Sequence, residues 1–330
     1  MRYLGPAALT AASLVLLLAT DGALLNPATA LRPAATGTAA TDAAAAGEAT
    51  AGGPAGTELA AAVAPAAPAG PAPTPPPPPR TVLPDPKGRR EALPRALYSG
   101  PGFDACTAPA LEAMQAWWNS SPYGALGIYS SGDHRACTQP RLTADWVRRV
   151  RAMGWKLLPT HVGPQAPCRT AAGRPRRIDP ATAVQQGRDE AATAVRALKA
   201  LGLAAGTPVY LDIESYPRGD AACSQAVVEF AMGWTQALHT SGYHAGFYSS
   251  TDSGIADLAA AARAGSSPLP DAVWFARWND RADTADTSGT LDGLWADRRR
   301  VHQYRGNTQE TYGGATLTID RDHLDTLVAR

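Results

Sequence analysis

PVYLDIESYP, residues 208–217, is an apolar, β-rich run that ends in two carboxylates, Asp212 and Glu214. Side chains on a strand alternate faces, so residues two apart share a face, with Cα atoms roughly 6.5 Å apart. Like charges that close resist joint ionisation, which raises the pKa of one of them. Such a pair suits chemistry in which one acid donates a proton while the other stays charged.

Outward from this run, further short β-like segments alternate with helical patterns. The strand candidates are 101–105, 124–130, 156–162, 208–214, 244–249, 272–278, 299–304 and 316–320. Between the early ones lie punctuated helices: one capped by Thr143 and stopped by Gly154, one opened by Asp179-Pro180 and stopped by Gly202, one from Ser224 to Gly242, and a shorter one from Ser253. Eight strands with intervening helices predict a single α/β, TIM-like (β/α)8 barrel over residues 98–330, long enough to bury a sizeable core. Residues 279–298 are polar and rich in Gly and Asp, and few residues separate the last two strands, so the barrel is expected to be irregular in its last third.

In such barrels chemistry collects at the C-terminal ends of the strands. Strand one ends in Asp104, strand three near His161, strand four in Asp212 and Glu214, strand five at Tyr248 and strand eight in Asp320. Acids from strands one, four and eight are therefore expected at one mouth.

Residues 1–30 have the layout of a secretory signal peptide: Arg2, an apolar run over 4–19, and small residues ending in Ala28-Thr29-Ala30. The run is too short for a retained membrane span. Without a twin-arginine pair, the general secretory route is expected. Residues 31–97 form an Ala/Pro-rich linker, including Pro75–Pro79, that buries too little apolar surface to fold. All four cysteines (Cys106, Cys137, Cys168, Cys223) follow it, and an even count in an exported chain predicts two disulfides. Three connectivities are open from sequence. Placement after strands one to four favours 106–137 and 168–223, bracing the loops at the mouth. The formal net charge is +1, which argues against a nucleic-acid or anionic-lipid partner. No cofactor, no metal and no stable membrane insertion after leader removal are expected, and the protein is expected to be a monomer.

The set GFDAC (102–106), LDIES (211–215), GFYSS (246–250), WFARW (274–278), HQY (302–304) and TIDRD (318–322) resembles the family 25 glycoside hydrolases, the lysozyme-type muramidases. It is closer to a secreted "glycoside hydrolase-like" domain family of actinobacterial proteins related to them. The resemblance implies that Glu214 is the general acid, that Asp212 keeps it protonated and stabilises positive charge at the sugar, and that Asp104 and Asp320 complete an acidic ring. It leaves inversion, retention and substrate assistance open. Tyr248, Trp278, Tyr304 and His161 are expected to line a sugar cleft, while Trp117, Trp118, Trp146 and Trp234 serve mainly the core. Two departures stand out: strand one continues as Asp104-Ala105-Cys106-Thr107 where the muramidases place a serine, and His161 stands where the closer family tends to have Tyr.

Three readings remain open at the level of sequence. The first is a hydrolase of peptidoglycan or another envelope polysaccharide; the second is a non-catalytic glycan-binding module on the same barrel. The third is a metal-dependent barrel enzyme using His161, Asp212, Glu214 and Asp320 as ligands. Phosphate-binding glycine loops, nucleophile elbows and H-E-x-x-H are absent from the sequence.

Overall fold

The computed structural model describes residues 79–85, 93–170 and 176–330. The leader and most of the expected linker lie outside them. Eight strands close into one barrel in sequential order: β1 Leu97–Asp104, β2 Ala125–Ser131, β3 Lys156–His161, β4 Pro208–Asp212, β5 His244–Ser250, β6 Ala272–Ala276, β7 Arg300–Tyr312 and β8 Ala315–Leu327. Helices α1 (Leu111–Ser120), α2 (Ala144–Met153), α3 (Ala183–Ala200), α4 (Ala221–Ser241) and α5 (Gly254–Arg263) follow β1 to β5 in turn. No helix lies between β6 and β7, in keeping with the polarity of that stretch.

The last third departs from the expected parallel barrel in one definite way. Strands β1 to β7 pair in parallel, but β8 is antiparallel to both β7 and β1. Strands β7 and β8 form a long hairpin turning at Gly313-Gly314, both with positive φ. Its outer part is exposed on alternate residues. A polar two-sided ribbon lacks the apolar alternation by which strands are read, which explains why 305–315 looks like loop in the sequence. The direction of β8 also corrects the position of Asp320: it reaches the mouth from mid-strand, in register with Asp104, not from a strand end.

Helix starts follow side-chain capping. The Thr143 hydroxyl accepts the Trp146 N–H as expected. Asp220, rather than Ser224, caps α4 by accepting from Ala222 and Cys223 N–H. Asp179 organises a turn before α3, which begins only at Ala183. Helix α1 has no counterpart among the expected helices.

Period-two alternation divides the apolar residues into two bodies. Phe103, Leu126, Ile128, Leu157, Val209, Leu211, Phe247, Val273 and Phe275 belong to the layer shared with the helices. Ala125, Leu158, Tyr210, Ala272, Trp274, Val301, Leu324 and Val328 form a second, separate cluster that fills the barrel lumen. Nearer the mouth, at the next inward positions, the residues turn polar: Asp104, Tyr129, Thr160, Asp212, Tyr248 and Gln303 surround the same small space as Trp274. The lumen is thus an apolar plug topped by a polar layer.

Residues 80–85, placed within the linker by sequence, pack on this barrel. Leu83 N–H and Ser267 N–H bond to Ser267 and Thr81 carbonyls. Gln236 donates to the Pro84 carbonyl, and Asp85 accepts from His239 at 2.8 Å.

Candidate active site

Above the lumen's polar layer opens a cleft of about 630 Å³ lined by Asp104, Asp212, Glu214 and Asp320, with Tyr129 and Arg169 among its other walls. The four acids expected at one mouth are therefore brought together. Both disulfides, Cys106–Cys137 and Cys168–Cys223, are formed with the favoured pairing. Cys106 itself lines the cleft, and Cys168 adjoins the lining residue Arg169.

Asp104, nearly inaccessible, accepts hydrogen bonds from the Tyr129 hydroxyl at 3.0 Å and Gln303 Nε2 at 2.9 Å. The same Nε2 donates to Asp320 Oδ2 at 3.3 Å, and Asn307 N–H donates to Asp320 Oδ1 at 2.6 Å. Burial first, and the charge of Asp320 second, push Asp104 up to about 7. Asp322, on β8, lies against Asp104 and accepts from Trp274 Nε1 at 3.0 Å. Burial and then Asp104 drive it well above the usual carboxylate range. Gly127 permits this packing, because a Cβ there would stand 2.7 Å from Asp104 Cβ and 2.8 Å from the Trp274 ring.

Asp212 and Glu214 share a face, as the alternation requires, yet their surroundings differ sharply. Asp212 is buried, with Oδ1 lacking any hydrogen-bond partner. Burial, followed by the charges of Glu214 and Asp104, drives it well above the carboxylate range. The Glu214 side chain is 45 % exposed and stands 3.7 Å from the Arg169 guanidinium. Asp212 thus resists ionisation at the floor of the cleft, while Glu214 meets solvent and Arg169 at its rim. Depth separates the two: the strand ends at Asp212, so the next inward side chain emerges at the rim. Gln165 secures the stretch beyond the strand, donating to the Asp212 carbonyl and accepting from Glu214 N–H, both at 2.9 Å.

The expected cleft ligands are placed less uniformly. The Tyr248 hydroxyl donates to Gln303 Oε1 at 3.0 Å within the polar layer. Trp278 is 60 % exposed just beyond β6; its Nε1 donates to the same Oε1 at 3.1 Å, and its ring covers Gly306, where a Cβ would come within 2.1 Å. His161 does not join them. Leu158 and Thr160 are the inward residues of β3, so His161 faces the helices. There it is fully buried between Ser131 and Glu190 and packs on Trp234. Tyr304 likewise follows the inward Gln303 and sits near His302, Glu310 and Arg321, outside the cleft lining. The ligand set of the metal reading is consequently not assembled, and among the described residues no group of three or more His, Cys, Asp or Glu is arranged to hold a metal ion.

Tyr129, Gln165, Arg169, Gln303 and Asp322 are site residues that sequence reasoning did not nominate. Gln303 and Asp322 lie inside HQY and TIDRD, and counting alternate positions from Val301 and Asp320 would have found both. Gln165 and Arg169, on an irregular loop, carry no periodic signal.

Among solved structures, the barrel resembles an uncharacterised B. stearothermophilus protein (18% identity, TM-score 0.44, covering 68% of this chain and 95% of that one). It also resembles the Mycobacterium tuberculosis Tat-secreted protein Rv2525c (15%, 0.47, 69% and 96%), and the catalytic domain of endolysin ply40 from bacteriophage P40 of Listeria monocytogenes (15%, 0.41, 69% and 93%). No curated protein matches the sequence. The family model described as "Rv2525c-like, glycoside hydrolase-like domain" matches residues 115–324, most of the barrel, and the chain belongs to that family.

Proposed function

We propose that this glycoside hydrolase-like domain cleaves an envelope glycan such as peptidoglycan, with Glu214 delivering the proton to the glycosidic oxygen. The observation that carries this reading is the unequal pair: a buried Asp212, whose surroundings oppose its ionisation, beneath a rim-exposed Glu214. Glu214 stands at the rim of the cleft, where a sugar settling over it meets its carboxyl. Glu214 gives its proton to the leaving oxygen as the glycosidic bond breaks. Asp212, beneath it, is the second carboxyl group, placed to stabilise an oxocarbenium-like centre. Asp104 and Asp320, bridged by Gln303, face this centre across the cleft, and Trp278 offers an exposed ring on which a sugar face can stack.

The two disulfides fit action outside the cytoplasm, and no helix among the described residues is long and apolar enough to cross a membrane. We therefore place the protein, with its leader and linker, in the extracellular space or cell envelope. The test is reducing-end release from purified peptidoglycan and from chitin-type oligosaccharides, with and without EDTA. EDTA-indifferent release that disappears in Glu214→Gln supports the reading. Chelator-sensitive release would point to the metal-dependent alternative.

A further inference from the structure

At the end of the barrel opposite the acidic mouth, two hollows meet at Leu97, the first residue of β1. The smaller, about 420 Å³, is lined by Arg95, Arg298 and Arg299. The larger, about 920 Å³, runs along α2 and is lined by Arg148, Arg151, Lys156 and Arg330. Only Arg148 and Arg298 have a carboxylate partner among the described residues, in Asp145 and Asp325. Arg95, Arg151, Lys156, Arg299 and Arg330 have none. The acids lining the hollows are Asp271 and Asp297, and Asp271 is already engaged by His239. Also in the smaller hollow, His244 is buried beside Asp271, with its Nδ1 3.5 Å from Oδ2. Trp295 and Arg298 hold φ of 43° and 63°, a region where bulky side chains rarely settle. The near-neutral total charge conceals this separation of an acidic mouth from a cationic base.

We propose that the base of the barrel binds a linear polyanion, a sugar or polyol chain carrying phosphate or carboxylate groups along its length. Guanidinium forks match both groups. Cations spread over two connected hollows suit a chain better than one small anion. A membrane surface fits less well: Leu97 is the single large apolar side chain exposed in either hollow among the described residues, so there is little to insert into lipid. The proposal stands independently of catalysis at the mouth.

The test is binding of the full chain to fluorescent polyphosphate and to polygalacturonate of matched length, across a salt series. Arg95→Glu/Arg151→Glu/Lys156→Glu is compared with the charge-matched control Arg141→Glu/Arg196→Glu/Arg281→Glu, none of which lines either hollow. Thermal melts verify that both variants fold. We expect salt-sensitive binding that falls at least about tenfold in the first variant and less than about twofold in the control; whichever polymer binds more tightly identifies the anionic group. Equal loss in both variants, absence of binding to either polymer, or tighter binding to duplex DNA or to phosphatidylglycerol vesicles would overturn the proposal.

Discussion

Gln303 Nε2 bridges Asp104 and Asp320, two carboxylates on adjacent strands that stand in direct register, at 2.9 and 3.3 Å. A single neutral amide thus spans two acids that burial and mutual repulsion oppose ionising. Together with Asp212 and Asp322, they put at one end of the lumen four carboxyl groups whose ionisation is opposed by burial.

That arrangement makes stability fall as pH rises. Each of these acids binds its proton more tightly folded than unfolded, so the favourable linkage is full below the unfolded value of 3.8 and is lost as pH climbs through the folded value, about 7 for Asp104. Asp104→Asn and Asp212→Asn are expected to raise the melting temperature at pH 8 relative to wild type, with a smaller gain or none at pH 4. Thermal melts at the two pH values check this; variants equally affected at both would show that the acids do not ionise at a cost.

Gln165 is buried and clamps the backbone on both sides of Ile213. Gln165→Leu removes both bonds and leaves the Asp212 carbonyl and Glu214 N–H without them, at about 1–3 kcal/mol each if water does not replace them. We expect glycan cleavage to fall far more in kcat than in KM, because the clamp orients the acid rather than the sugar. A change confined to KM would assign Gln165 to binding.

The Cys168–Cys223 bridge spans 55 residues and adjoins Arg169, the partner of Glu214. Loop-closure entropy gives it about 4 kcal/mol of stabilisation in the chain-entropy model. Cys168→Ser/Cys223→Ser should melt markedly lower, and its cleavage rate at a temperature where it remains folded should change through the freed Arg169. An unchanged rate would separate the bridge from the site.

At the other end of the molecule His239 donates to Asp85 and Asp271 from its two nitrogens when protonated, both at 2.8 Å. Burial opposes that charge, but the hydrogen bonds and charges of Asp271 and Asp85 outweigh it and raise His239 above its ordinary value. The resulting stability is full below about 6.5 and is lost as pH rises through the raised value. Limited proteolysis should therefore cut near residues 80–85 faster at alkaline pH, and Asp85→Asn should be cut fast at every pH. A pH-independent cutting rate in the wild type would refute the role of protonated His239 in holding this segment.

Much of this architecture is legible in the chain. The apolar alternation of β1 to β6 and the acids that close β1 and β4 mark the barrel and its mouth, and Cys placement favours the observed bridges. The failures have local causes. His161 and Tyr304 look like ligands by composition but lie on the outward phase of their strands, one residue from the inward Thr160 and Gln303. Strand β8 hides its direction because alternation marks a strand but not its sense, and the polar stretch around the tight Gly313-Gly314 turn conceals that it is joined to β7 as a hairpin. The contrast between buried Asp212 and rim-exposed Glu214 depends on depth below the rim, a tertiary quantity that a D-x-E spacing does not encode.

The most direct measurement is to give wild type and Glu214→Gln the same N-acetylated oligosaccharide and record, in parallel, binding by calorimetry and reducing-end release. The account predicts that both bind it, that the wild type cleaves it, and that the variant returns it intact. Binding by both with release by neither would contradict the catalytic role of Glu214 and leave the mouth as a glycan-binding surface.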